Sequence, residues 1–310
     1  MSNQQSLSRR RFVGTGLSAG VVSAAALAYP LHTTKAIGPI KRSGKQVLKL
    51  SLAAYSMRQF LPRGNNKGKM DILGFIDYCA SLGVLDGTEL TSYFFPNPVS
   101  SELLNNIKRR SHLLGLDISG GAIGNNFTYP AGEKLDQQFT HLKTWIDHYA
   151  DMGAPVIRVF AGKPPKGVSE KDGLKNAIEN LKRACELAGK RGVMLGIENH
   201  DFTTNVDRLM EVVASVDSPW FGVNFDSGNL APTADPYGDL ARIAPYTVNA
   251  QLKVMIPRNG KKEPTDLKRV VDVLRKGGYS GYIVLEYEDK EDPYKAIPRY
   301  LKQLRQIIDG

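Results

Sequence analysis

Four short segments of this chain each end in an oxygen-bearing side chain set among apolar residues. They are Gly196-Ile197-Glu198-Asn199-His200, Asn224-Phe225-Asp226-Ser227-Gly228-Asn229, Asn249-Ala250-Gln251-Leu252-Lys253 and Val284-Leu285-Glu286-Tyr287-Glu288. Read as strand ends, residues two apart share a face. Glu198, Asp226, Gln251 and Glu286 are then free to face one axis. Four oxygen donors converging on a poorly hydrated mouth repel one another unless a cation lies among them. The expected chemistry is therefore that of a single bound cation beside carboxylates able to move protons.

Such residues need strands to carry them, and the rest of the chain supplies a regular alternation. From Val47 onward, short β-branched runs alternate with longer amphipathic ones, the pattern of βα units around a parallel sheet. Strands are expected near 47–54, 84–90, 116–122, 155–161, 193–198, 220–226, 247–253 and 282–287. Helices are expected at 71–82, 100–114, 133–152, 171–191, 203–216, 236–244, 264–276 and 293–308. Eight such pairs fit an α/β fold closed as a (β/α)8 TIM barrel over residues 47–310, with its chemistry where strands end and the following loops begin.

The first 46 residues read differently. Ser8-Arg9-Arg10-Arg11-Phe12-Val13 precedes a weakly apolar stretch rich in Ala, Gly and Ser from Gly14 to Ala28. A basic start, an apolar middle and small residues around Ala26-Leu27-Ala28 make a removable signal rather than a membrane span. The pattern resembles a bacterial twin-arginine leader over residues 1–36, followed by a linker over 37–46, and implies export to the periplasm, with a retained anchor as the rival reading because the cleavage site is indistinct.

The leader also accounts for the charge. Of the formal net charge of +10, seven positive charges (Arg9, Arg10, Arg11, Lys35, Lys41, Arg42, Lys45) lie in residues 1–46 with no acidic residue, and ten less seven leaves +3 for the body. A near-neutral body argues against nucleic acid as a partner. The two cysteines, Cys79 and Cys185, lie in separate helical segments without zinc-like spacing, and are expected to be buried and unbridged.

At these strand ends, and at Ala54-Tyr55-Ser56-Met57-Arg58, the sequence resembles the xylose isomerase-like barrel superfamily of sugar isomerases and epimerases. The resemblance implies one divalent metal held by residues from four successive strands. Glu198, Asp226 and Glu286 match; Gln251 stands where that family has a histidine. An amide oxygen in that place makes an all-oxygen set, which favours Mn2+, with Mg2+ or Co2+ as alternatives, over Zn2+. Asn229 stands where the family has another histidine, whereas His200 adds a titratable group beside Glu198.

The implied reaction is proton transfer next to a sugar carbonyl through a metal-stabilised enediolate. Glu198 and Glu286 would bracket the substrate, each as base or as ligand, and His200 would be a general base or a hydrogen-bonding group. Lys253, Glu89, Tyr55, Arg58 and Asn229 are the candidates for holding a carbohydrate. Two alternatives stay open: Lys253 neutralises the carboxylates or forms a structural ion pair, and Glu89 supports the site from behind the ligand-bearing residues. Tyr93, Phe94 and Phe95 offer flat faces to a sugar ring or pack as a lid. The segment Arg258-Asn259-Gly260-Lys261-Lys262 reads as a charged loop.

Two rival functions stay open: a metal-dependent lyase or hydratase acting on 3-keto-glycosides or keto-sugars, and a carbohydrate-binding barrel without catalysis. Abasic-site endonucleases of the same superfamily use a histidine-rich three-metal cluster, and this chain has only His200 at a strand end. The mature chain is expected to take a small carbohydrate, with no nucleic acid and no membrane after leader removal, alone or as a homo-oligomer.

Overall fold

The computed structural model describes residues 38–310. The expected signal segment, 1–36, and the first linker residue lie outside them. Eight parallel strands, β1 (Leu48–Ala53), β2 (Gly87–Thr91), β3 (Asp117–Ala122), β4 (Val156–Val159), β5 (Met194–Glu198), β6 (Phe221–Asp226), β7 (Thr247–Leu252) and β10 (Gly281–Leu285), close into a barrel. Each pairs with its sequence neighbour in the ring, and β1 pairs with β10 to complete it. This is the expected (β/α)8 barrel.

The helices are α1 (Ile72–Ser81), α2 (Ser101–Leu113), α3 (Glu133–Met152), α4 (Glu170–Lys190), α5 (Val206–Val216), α6 (Pro236–Ile243), α7 (Leu267–Lys276) and α8 (Pro293–Asp309). Seven of the eight start where the side chain of Asp71, Ser100, Ser169, Asn205, Asp235, Asp266 or Asp292 accepts a hydrogen bond from a first-turn N–H. That group would otherwise lack a partner. These caps shorten two expected helices: α5 begins after Asn205 rather than at 203, and α7 after Asp266 rather than at 264.

Alternation along the strands separates two environments. Leu50, Leu52, Ile157, Val159, Leu195, Ile197, Val223, Phe225, Leu252, Ile283 and Leu285 are buried in one core with the apolar faces of the helices. Of the opposite set, Ser51, Glu89, Ser119, Arg158, Glu198, Asn224, Asn249 and Gln251 are polar and buried. The barrel interior is thus hydrogen-bonded, beginning with a Ser51–Ser119 hydroxyl contact of 2.7 Å.

Three features depart from the sequence reading. The charged loop is a two-stranded antiparallel hairpin of β8 (Met255–Arg258) and β9 (Lys261–Pro264). Its turn is Asn259-Gly260, with φ of 50° and 75°, the conformation that an Asn-Gly pair adopts readily. The described part of the linker is not loose. Ile40 N donates to Pro245 O at 3.0 Å, and Gln46 Nε2 donates to Tyr279 O at 2.6 Å, tying it to the barrel. Third, the ladder slips by one residue between Thr88 and Glu89 against β3 and between Val223 and Asn224 against β7. Such irregularities re-aim side chains, and both lie beside polar residues of the interior. Cys79 on α1 and Cys185 on α4 are buried and unbridged, as expected.

Candidate active site

Beneath the mouth of the barrel lies a closed ring of four side chains. Glu89, at 0 % exposure, accepts from Asn249 Nδ2 at 2.8 Å and from Gln251 Nε2 at 2.5 Å. Asn249 Nδ2 also donates to Asn224 Oδ1 at 2.8 Å, and Asn224 Nδ2 donates to Gln251 Oε1 at 2.6 Å. An ionised carboxylate only accepts hydrogen bonds, so both amides turn their nitrogens toward Glu89. The Gln251 oxygen is thereby directed at Asn224. Burial, and then repulsion from Glu286, push the Glu89 carboxyl up to about 7 against the pull of the two amides.

Two ion-paired groups sit above this ring. On one side Arg158, from β4, places Nε 3.0 Å from Glu198 Oε2 at the end of β5. Its Nη1 donates to Ile123 O at 2.8 Å, and its guanidinium carbon lies 3.9 Å from the Phe160 ring centroid. Asn229 Nδ2 donates to the other Glu198 oxygen at 2.9 Å. Burial raises the Glu198 carboxyl above its ordinary value despite the opposing charge of Arg158.

On the other side Lys253 Nζ lies 2.6 Å from Glu286 Oε2 and 3.4 Å from Asp226 Oδ2, and bonds Glu288 Oε2 as well. Lys253 is only 7 % exposed. Burial opposes its charge, but the carboxylates of Asp226, Glu286 and Glu288 outweigh that and hold the ammonium well above its usual range. Burial raises Glu286 and pushes Asp226 up to about 7, whereas at Glu288 the attraction of Lys253 overcomes burial and the net shift is downward. Asp226 Oδ1 accepts from Gly228 N at 2.7 Å; Oδ2 is buried without a hydrogen-bond partner. Asn199 stitches the ends of β5 and β6 together by accepting from Asp226 N at 2.8 Å and donating to Asp226 O at 2.7 Å.

The remaining expected residues stand around this centre. The His200 imidazole stacks on Phe160 with centroids 4.5 Å apart, and its Nδ1 is 3.3 Å from Asp201 Oδ2. The His200 backbone N–H donates to Glu198 O at 2.9 Å, but the imidazole makes no hydrogen bond or ion pair with the Glu198 side chain. Tyr55 and Tyr93 meet edge to face at 6.3 Å, with the Arg58 guanidinium 5.2 Å from the Tyr55 centroid and that of Arg63 4.6 Å from the Tyr93 centroid. The Tyr93 hydroxyl reaches toward Arg158 Nη2 at 3.5 Å. Glu89 is buried with both oxygens engaged by Asn249 and Gln251, so it supports Gln251 from behind. Of the three aromatics after β2, Phe94 is buried and Phe95 packs on Trp145, which leaves Tyr93 beside the centre.

The donor set expected for a divalent ion does not fit one as these side chains stand. The Gln251 oxygen is taken by Asn224, both Glu198 oxygens have partners, and the Lys253 ammonium lies between Asp226 and Glu286. Among the described residues no group of three or more His, Cys, Asp or Glu is arranged to hold a metal ion.

Sequence reasoning did not single out Arg158, Asn199, Asn224, Asn249 or Glu288 as functional. Arg158 had a readable signal, a lone charge inside the apolar strand Val156-Ile157-Arg158-Val159. Asn224 and Asn249 lie two residues before Asp226 and Gln251 and so share their face.

Comparison with known proteins agrees with this architecture. A curated Xenopus laevis protein named "Putative hydroxypyruvate isomerase" is 26% identical across an alignment of 194 positions that covers 54% of this chain and 68% of that protein. The apo structure of 3-keto-D-glucoside 4-epimerase from E. coli superposes with a TM-score of 0.63 at 18% identity, covering 84% of this chain and 100% of its own. A xylose isomerase-like TIM barrel protein from Mycobacterium smegmatis, solved in complex with magnesium, gives 0.65 at 15% identity over 84% of this chain and 96% of its own. At such identities the two solved structures are alike in fold. The family model described as xylose isomerase-like TIM barrel matches residues 76–304, well over half of the sequence, and the chain belongs to that family.

Proposed function

We propose that the protein is a sugar isomerase or epimerase that moves a proton beside a carbonyl. One observation carries this reading: two buried carboxylates, Glu198 and Glu286, stand on strands three apart around the ring, each paired with a cation that can also hold a substrate oxygen. A keto-sugar in the mouth would present its carbonyl oxygen to Lys253 or Arg158. One glutamate would take the proton from the neighbouring carbon while the C–H electron pair moves toward that oxygen, giving an enediolate. The same or the opposite glutamate would return a proton to carbon. Burial raises both carboxyls above their ordinary values, the direction that suits a group accepting a proton from carbon and returning it. A relative named for hydroxypyruvate isomerisation and a fold neighbour named for epimerisation of a 3-keto-glucoside support the substrate class.

The test follows solvent deuterium by NMR during incubation with free ketoses and with 3-keto-glycosides. Deuterium is expected at a carbon next to the carbonyl. Glu198→Gln and Glu286→Gln should each slow this by about 10²–10⁴-fold, with circular dichroism unchanged. No exchange with any keto-sugar would end the reading. Exchange accompanied by loss of the glycosidic group would assign the lyase instead.

A second reading adds a divalent ion, Mn2+, Mg2+ or Co2+, to the same carboxylates. It is favoured by Asp226 Oδ2, which is buried and accepts no hydrogen bond although Lys253 lies 3.4 Å away, and by the four carboxylates Glu198, Asp226, Glu286 and Glu288 gathered at the mouth. We propose export to the periplasm from the segment Ser8–Val13; changing Arg9 and Arg10 to lysine should leave the protein in the cytoplasm, read by cell fractionation.

A further inference from the structure

The Lys253 ammonium lies against Asp226 and Glu286, two of the carboxylates that the family resemblance would give to a metal ion, and the surrounding structure is shaped to admit it. Its ammonium is 2.6 Å from Glu286, 3.4 Å from Asp226 and bonded to Glu288. The stem reaches this point past Gly228. A Cβ there would lie 2.5 Å from Lys253 Cγ, 2.8 Å from Lys253 Cβ and 3.0 Å from Met255 O, closer than real carbon contacts allow. The backbone of the strand-six loop therefore leaves a gap that the lysine stem fills. Its own N–H is fixed by donation to Ser227 Oγ at 2.8 Å, so the residue is held at its root as well as at its tip.

The other expected ligands are held away for separate reasons. The Glu89 ring holds the Gln251 oxygen against Asn224. Arg158 and Asn229 hold both oxygens of Glu198. To restore a four-donor metal site, an ion would have to expel a buried ammonium, break the amide ring around Glu89, and displace the Arg158 ion pair and the Asn229 hydrogen bond from Glu198. A divalent ion and an ammonium also repel each other strongly at such short range in a poorly hydrated site.

From this we infer that Lys253 is the resident cation of the barrel mouth, standing in the place of a divalent metal ion and excluding it. The inference deepens the isomerase reading and rests on it for the chemical role. In that role the ammonium stabilises the developing enediolate oxygen by charge and hydrogen bonding. Metal exclusion by itself depends on no reaction.

The experiment uses the full chain, stripped with EDTA and desalted, with free Mn2+ followed by EPR. The wild-type protein should take up no Mn2+ at micromolar concentrations. Lys253→Met keeps most of the stem in the Gly228 gap and removes the charge; it should bind one equivalent at least about 100-fold more tightly. Adding Asp226→Asn to that variant should abolish the gain, which locates the ion among these carboxylates.

One tightly bound Mn2+ in the wild type would overturn the inference. So would a Lys253→Met protein that melts cooperatively yet gains no affinity. Should that variant fail to fold, Lys253→Gln is read by the same criteria. These titrations contain no substrate, so their failure is separate from failure of the deuterium-exchange test. Exchange activity, where found, should survive EDTA in the wild type.

Discussion

At the scale of single residues, Glu89 shows how burial and hydrogen bonding compete. Two amide N–H groups favour its ionised form, but complete burial and the charge of Glu286 prevail and raise it from 4.5 to about 7. A carboxyl raised on folding contributes stability that is fully present below its unfolded value and is lost as pH rises through the folded one. The fall should therefore run from about pH 4.5 to about pH 7 and be of the order of 3 kcal/mol at most. Urea unfolding of the wild type and Glu89→Gln at pH 5 and pH 8 checks this: the difference between the two pH values should shrink in the variant. Equal pH dependence in both proteins would mean that the ring holds Glu89 ionised throughout.

At the scale of elements, the strands are aimed by contacts that leave little slack. The Tyr149 hydroxyl on α3 donates to Leu90 O of β2, and Ala122 N of β3 donates to it at 3.2 Å. One helix thereby fixes two strands, next to the point where β2 and β3 slip register beneath Glu89. The Tyr149 ring can reach that position only because residue 121 lacks a side chain; a Cβ there would lie 2.0 Å from it. Gly121→Ala should displace the ring and cost about 1–3 kcal/mol through overpacking, seen as a lower urea midpoint. An unchanged midpoint would show that α3 moves freely against the barrel. The slip beside Asn224 matters in the same way. By skipping Val248 in the pairing, it sets Asn249 next to Asn224 and Gln251 next to Asp226, and a regular ladder would break the amide ring.

At the scale of the whole molecule, closure of the sheet hides one thiol on α1 and another on α4. Burial raises Cys79 well above the usual thiol range and pushes Cys185 up to about 12. Reaction needs the thiolate and access, so the native protein at pH 7.5 should be inert to a maleimide and the unfolded chain should take up two equivalents by mass. Labelling of the native protein faster than it unfolds would contradict the burial of these residues. The described part of the linker adds to closure at the opposite end, where Arg42 Nη2 donates to Thr247 O at 2.5 Å at the start of β7. No helix of the described residues is long and apolar enough to cross a membrane.

The sequence by itself determined the order and type of the barrel elements, because period-two and period-3.6 apolar patterns and capping residues are local. It also determined that Glu198, Asp226, Gln251 and Glu286 come to one end of the barrel, since strand ends in a parallel barrel share a mouth. Their partners were decided only by the tertiary structure. Whether the Gln251 oxygen faces an ion or Asn224 depends on Glu89, 162 positions away in the chain. Whether Glu198 is free depends on Arg158, whose lone charge in an apolar strand marks it as unusual without naming its partner. Lys253 lies two residues from Gln251, yet its place among Asp226, Glu286 and Glu288 depends on a missing Cβ at Gly228. The hairpin at 255–264 escaped for a related reason: Pro257, Pro264 and a run of charges mask the alternation that marks a strand. Local pattern fixes which face a side chain takes, but the ordering of buried charges is settled by which opposite charge the closed barrel brings nearest.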